Sequence, residues 1–226
     1  MRLATRFPTI AGYARAFAAR IAAFHPVRGE SFLAAARLRL DTRKWSAGLL
    51  KELEWRRFEE VCVAYYQALG YNTSIEGMGA DGGVDIVLHM PPFEDVSIVA
   101  RCKAWDAYRV GVKAVKDLRA SATAAKIAEA VLLTSGRFTK EARDLAAKEK
   151  IEMIDGAGLL DKIAALPPEK SQTLLKFAIN GDFLTPTCPR CSVKMISRKS
   201  TKGGRKYWGC RNYPQCKQTI FASAPG

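Results

Sequence analysis

From Leu49 onward, apolar and polar positions alternate with readable periods. Phe58, Val61, Cys62, Tyr65 and Leu69 recur at i, i+3, i+4, i+7 and i+11, which predicts a helix burying that stripe and ending at Gly70. A short strand is expected near residues 71–76. A glycine-rich turn comes next, and then a strand in which Val84, Ile86, Leu88 and Met90 share one face while Asp85, Val87 and His89 share the other. The next strand, residues 97–103, sends Ile98, Ala100 and Cys102 one way and Val99, Arg101 and Lys103 the other. Beyond it the pattern predicts a helix over 110–125 with Val112, Val115 and Leu118 inward and a buried strand at Ala130–Leu133. A helix beginning at Thr139, a strand at Ile151–Ile154 and a helix after Asp155-Gly156 complete the series. Helices and strands in alternation make this an α/β fold. Pro167-Pro168 and Asn180-Gly181-Asp182 bracket a short helical segment, expected as a connection to a small C-terminal module.

The first 45 residues are rich in Ala and Arg, and Phe7, Ile10, Tyr13, Phe17 and Ile21 recur at near-helical spacing despite Pro8 and Gly12. Residues 1–29 carry no acid, and such a start suits a targeting segment, a helix packed on the core or an overlong start-codon assignment, so it is set apart from the fold. The expected organisation is a basic segment at 1–48, a core domain at 49–165, a linker at 166–185 and a small module at 186–222.

A chain of 226 residues at 48% apolar content can bury a sizeable core. No run reaches the roughly 18 uninterrupted apolar residues needed to span a bilayer, so no membrane is expected as a partner. The formal net charge of +14 lies at the two ends. Arg2, Arg6, Arg15, Arg20 and Arg28 face no acid in residues 1–29, nine cations face none in 183–226, and the remaining 22 Lys and Arg balance all 22 Asp and Glu. Ends of this kind grip a polyanion while the middle does something else to it.

Cys188, Cys191, Cys210 and Cys216 form C-x2-C, an eighteen-residue basic span, then C-x5-C. Two tight turns that bring four thiolates together make a tetrahedral Zn2+ site, here a small β zinc ribbon. Cys62 and Cys102 remain as free thiols, which points to a reducing, cytoplasmic setting. Around the ribbon cysteines lie Arg190, Lys194, Arg198, Lys199, Lys202, Arg205, Lys206, Arg211 and Lys217, interleaved with Tyr207, Trp208, Tyr213 and Phe221. Cations beside aromatic planes suit phosphates and unstacked bases, and Arg190, Lys199, Lys206, Tyr207, Trp208, Arg211 and Tyr213 are the expected DNA contacts. The segments C-P-R-C-S-V-K-M and R-K-Y-W-G-C-R-N-Y-P-Q-C resemble the C-terminal four-cysteine zinc ribbons of type IA topoisomerases over about residues 186–222. The resemblance implies a module that holds single-stranded DNA.

In the core domain, two acids and a lysine from a helix and adjacent strands suit metal-assisted phosphodiester hydrolysis, because a hard divalent ion takes carboxylate oxygens and a lysine can orient water or offset charge on phosphate. Spacing alone carries this only weakly. The run F-E-E, L-G-Y, G-A-D-G-G-V-D-I, R-C-K, L-L-T-S-G-R-F-T-K-E-A and I-E-M-I-D-G, across about residues 50–165, resembles the catalytic domain of Mrr-type restriction endonucleases, a branch of the PD-(D/E)xK nuclease superfamily. It implies a central mixed β-sheet flanked by helices and Mg2+-dependent cleavage of duplex DNA. It also implies Asp85 as the central metal ligand, Glu59 as the helix-borne acid ligand and Lys103 as the catalytic lysine. A homodimer is compatible with that family.

Arg101 departs from the pattern, which has Gln or Glu two residues before the lysine; a guanidinium offers donors only and repels a cation. Three arrangements are open: Arg101 turned outward to bind the scissile phosphate, Asp81 supplying the missing oxygen, or a site without activity. His89 reads as a satisfied rim residue, Lys113 and Lys116 as a solvated or phosphate-facing pair. The expected function is a metal-dependent DNA endonuclease gripping DNA through its ribbon. The alternative is a non-catalytic DNA-binding protein built on a degenerate nuclease fold.

Overall fold

The computed structural model describes residues 41–78, 84–91, 93–104, 109–200, 204 and 206–221. The amphipathic N-terminal stretch with Phe7 to Ile21, the turn residues Asp81 to Gly83 and the cations Lys202 and Arg205 lie outside the described residues.

Helix α1 (Ala47–Glu52) starts at Ser46, whose hydroxyl accepts from the Leu49 amide. Helix α2 (Trp55–Ala68) carries the apolar stripe, with Phe58, Val61, Cys62, Tyr65 and Tyr66 buried. Leu69, expected on that stripe, is exposed because the helix ends there and Gly70, at φ +100°, turns the chain away. Strands β1 (Asn72–Met78), β2 (Val84–Met90) and β3 (Phe93–Lys103) form an antiparallel meander. Helix α3 (Val112–Ala124) then crosses over to β4 (Glu129–Thr134), and α4 (Lys140–Lys148) to β5 (Ile151–Ile154), both pairing parallel. The result is one mixed sheet in the order β1-β2-β3-β4-β5. A helical crossover is what lets a neighbouring strand run parallel, whereas a hairpin forces it antiparallel.

The alternation read in the sequence sorts into two layers. Ile86, Leu88, Ala100, Cys102, Val131 and Leu133 pack against α2, α5 (Gly156–Ala164) and α6 (Pro168–Ala178). Val87, Val99, Ala130 and Leu132 pack against α3 and α4 on the other side. Val112 stands exposed as the first residue of α3, and Ala114 takes the inward place instead. Gly156 lets α5 sit close under the turn after β4, since a Cβ there would meet the Ser135 carbonyl oxygen at 2.4 Å.

The segment expected as a linker is built into the core. Leu174, Leu175 and Ala178 of α6, followed by Phe183 and Leu184, belong to the same apolar cluster as α2. The ribbon adds a second sheet of β6 (Ile196–Lys199), β7 (Lys206–Gly209) and β8 (Thr219–Phe221), antiparallel throughout. No described helix is long and apolar enough to cross a membrane.

Candidate nuclease site and zinc ribbon

The sheet register brings the strand residues of the expected site together. Asp85 on β2 lies directly across from Arg101 on β3, and Lys103, the last residue of β3, is in register with Thr134, the last of β4. The side chain of Asp85 is outside the described part of the structure, so register alone places it. β3 and β4 run parallel, so Lys103 and the Thr134-Ser135-Gly136 turn close the same end of the sheet.

Glu59 comes from α2, the helix packed on the Ile86–Cys102 layer, and is 5% exposed. Burial pushes its carboxyl up to about 9, with Glu54 and Glu60 pushing the same way and Arg56 and Lys103 opposing. Lys103 thus acts electrostatically on Glu59, and α2 packs against β3. A carboxyl held protonated by burial ionises when a cation arrives, so the donor chemistry of Glu59 and Asp85 fits a hard divalent ion.

Arg101 is 3% exposed and does not turn out to solvent. Its Nη2 donates to Ser121 Oγ on α3 at 3.0 Å, so the guanidinium reaches into the layer opposite α2. His89 sits at the far end of β2, its Nδ1 2.8 Å from Ser97 Oγ, consistent with a satisfied rim residue. Lys113 pairs with Asp117 one turn along α3 at 2.6 Å.

In the ribbon, the four cysteine sulfurs lie within 4.8 Å of one another, and those of Cys188 and Cys216 are 3.8 Å apart. Zn–S bonds near 2.3 Å set the sulfurs of a tetrahedron about 3.8 Å apart, so the site has the size zinc requires. Backbone amides point at the sulfurs: Asn212 N donates to Cys210 Sγ at 3.4 Å, and a bond from the Gln218 amide brings the Cys216 thiol down to about 7. Burial moves Cys210 the other way, up to about 12. Donors aimed at the sulfurs favour the thiolates a metal binds.

Arg190, Lys199, Lys206, Arg211 and Tyr213 are exposed on the ribbon, and Tyr207 is half-buried. Tyr213 is 59% and Phe221 68% exposed; Arg198 stacks over the Tyr213 ring at 5.4 Å and Tyr207 leans on Phe221 at 6.3 Å. Trp208 is half-buried against the cysteine cluster. Lys194 is taken up internally, its Nζ 3.0 Å from Glu54 Oε1. Glu54 is the residue that periodicity did not reveal. It lies immediately before α2, and the one local hint was a carboxylate at a helix start, where Ser, Thr, Asp or Asn is usual.

A family model described as a restriction endonuclease matches residues 50–163. A second, described as a topoisomerase DNA-binding C4 zinc finger, matches residues 185–224. DNA topoisomerase 1 of Pyrococcus horikoshii is 30% identical over 92 residues, 39% of this chain and 13% of that protein. DNA topoisomerase 1 of Archaeoglobus fulgidus is 31% identical over 75 residues, 32% of this chain and 11% of that protein. The chain thus spans only a small part of the length of these curated relatives. Among solved structures, the DNA modification-dependent restriction endonuclease AspBHI aligns over 58% of this chain and 38% of its own, at 16% identity and a TM-score of 0.44. The MspJI restriction endonuclease in complex with a 27-mer oligonucleotide aligns over 74% and 40%, at 13% identity and a TM-score of 0.36.

Proposed function

Because the chain belongs to the restriction endonuclease family, whose model spans half of it, we propose that it is a divalent-metal-dependent DNA endonuclease that holds its substrate through the C-terminal zinc ribbon. The supporting observations are that α2 packs on the layer of β2 and β3, that Lys103 acts electrostatically on buried Glu59, and that Asp85 stands two register positions from Lys103. Asp85 and Glu59 would hold Mg2+, which when bound supplies Lewis-acid stabilisation to the phosphate under attack. Lys103 orients the attacking water or binds the non-bridging phosphate oxygen as negative charge builds there. Water adds to phosphorus and releases a proton to solvent, the P–O bond to the leaving sugar breaks, and the leaving oxygen takes up a proton from solvent, so the exchange balances. Glu59 would have to give up its proton to hold the ion, so its burial would tie metal uptake to pH. The reduced cysteines suit a cytoplasmic setting.

Arg101 supports the second reading, a DNA-binding protein on an inactive nuclease fold. A fixed positive charge in register with Asp85 weakens any cation bound there. Its bond to Ser121 ties the guanidinium to α3, on the face of the sheet that Asp85 shares by register, and we favour the active enzyme because Asp85, Glu59 and Lys103 are all present. The test is the pair Asp85→Ala and Lys103→Ala. Each should lower cleavage by orders of magnitude and leave DNA affinity within a few-fold, since neither belongs to the ribbon. Equal cleavage by wild type and both variants would remove the catalytic reading.

A further inference from the structure

Glu54 joins two parts of the molecule 133 residues apart in sequence. Its Oε2 accepts from the Arg56 amide at 3.1 Å, capping the first turn of α2, and from the Thr187 amide at 3.1 Å. Its Oε1 accepts from Thr187 Oγ1 at 2.9 Å and from Lys194 Nζ at 3.0 Å. Thr187 and Lys194 are the paired residues flanking the Cys188-Pro-Arg-Cys191 knuckle. Their bridge is closed by neighbouring bonds, Cys188 N to Val193 O at 2.8 Å and Met195 N to Pro186 O at 2.9 Å. The N–H and C=O of Thr187 itself therefore point out of the knuckle. Glu54 takes the first, and Trp55 Nε1 donates to the second at 2.7 Å. The Glu54 amide donates in turn to the Phe183 carbonyl at 2.9 Å.

A buried carboxylate with four donors around it, one from its own helix and three from the zinc knuckle, has no low-energy alternative if the knuckle leaves, because breaking such a network strands a desolvated charge. We propose that Glu54 is a positioning residue that fixes the first zinc knuckle to the helix carrying Glu59. Metal occupancy of the ribbon and order in the first turns of α2 are thereby one linked equilibrium, and DNA held on the ribbon meets the nuclease site at a set place. The proposal rests on the reading of residues 185–224 as a zinc ribbon, and not on catalysis.

The experiment uses the full zinc-loaded chain and the variants Glu54→Gln, Lys194→Met and both together. Two readouts need no cleavage: the rate of zinc release to a chromogenic chelator, and the thermal transition of the nuclease core before and after zinc is stripped. In wild type, stripping zinc should lower the core transition by several degrees. Glu54→Gln keeps an oxygen for the backbone amides but sets its own N–H groups against the Lys194 ammonium. Zinc release should then be faster by about tenfold, within the range of coupled polar pairs, and the core transition should respond less to zinc. Adding Lys194→Met removes that opposition and should recover much of the loss, a rescue that general destabilisation does not give. If Glu54→Gln does not fold, Thr187→Val, which deletes one bond and keeps the shape, replaces it with the same expectation at smaller size. Release as slow as in wild type, together with a core transition indifferent to zinc, overturns the proposal. An inactive wild type would sink the nuclease reading while leaving these readouts to decide this one. In an active protein, Glu54→Gln should lower the cleavage rate with DNA affinity nearly unchanged, and unchanged cleavage would refute the positioning role.

Discussion

Glu59 shows what one buried carboxyl does to the protein around it. Its folded pKa of about 9 lies above the ordinary carboxylate value, so between about pH 5 and about pH 9 the native state binds a proton that the unfolded chain does not. Stability from this group is therefore full at acid pH and is lost as pH rises through that window. Glu59→Gln, with no proton to lose, should flatten the fall of melting temperature with pH relative to wild type; parallel curves would mean the carboxyl is not desolvated in solution. Arg101 carries a different expectation. Replacing a permanent cation beside Asp85 with Gln should lower the Mg2+ concentration needed for half-maximal cleavage, read from a metal titration. The lost charged bond to Ser121 costs about 1.5–3 kcal/mol of stability, below the roughly 5–15 kcal/mol typical of a folded domain. Lost activity on that change would instead give Arg101 a positive part, such as fixing α3 against the site. Both residues stood out in the sequence by type and position. The burial of Arg101 did not, because strand alternation gives the face a residue occupies and not what packs over it.

At the scale of elements, periodic stripes were legible wherever one face meets the core and the other meets water. The stripe of α2, the apolar run of β4 and the Thr139 start of α4 all lie where the pattern put them. Leu69 and Val112 sit at helix ends, where a stripe continues in sequence after the helix has stopped covering the sheet. The helical connection at 168–178 was visible but its burial was not, since a short amphipathic helix looks alike on a tether and on a core. In the ribbon, four cysteines at knuckle spacing announced themselves, while the division of labour among the aromatics depends on the turns of three short strands. Trp208 packs on the cysteine cluster, whereas Tyr213 and Phe221 are exposed, with Arg198 over the first and Tyr207 tilted against the second. Tyr213→Ala and Phe221→Ala should each weaken single-strand binding by about 1–3 kcal/mol, and duplex binding much less, because only unpaired bases lie flat on a ring. Trp208→Ala should act chiefly on ribbon stability. Equal losses on single-stranded and duplex DNA for Tyr213→Ala and Phe221→Ala, measured by anisotropy, would show that charge and not stacking holds the strand.

Over the whole molecule, the charge asymmetry pointed to the partner and the strand pattern to the sheet, but the join between the core and the ribbon is written in no local pattern. Glu54 gives only the hint of a carboxylate at a helix start, Lys194 reads as one more ribbon cation, and Trp55 and Thr187 carry no signal; only folding brings them within hydrogen-bond distance. That join ties the ribbon to the core, and under the proposed function it gives a reason for a strongly basic end on a charge-balanced core: the cations would collect phosphate and the core would act on the DNA they hold. The central claim is cleavage that depends on a divalent ion at the Asp85 and Lys103 end of the sheet. The direct measurement is nicking of supercoiled plasmid by the zinc-loaded protein, with Mg2+ added stepwise from none and a Lys103→Ala preparation alongside. We expect nicked and linear DNA to appear only as Mg2+ is raised, and to stay absent with the variant. Plasmid left intact at every Mg2+ concentration, or cut equally without it, would contradict that claim.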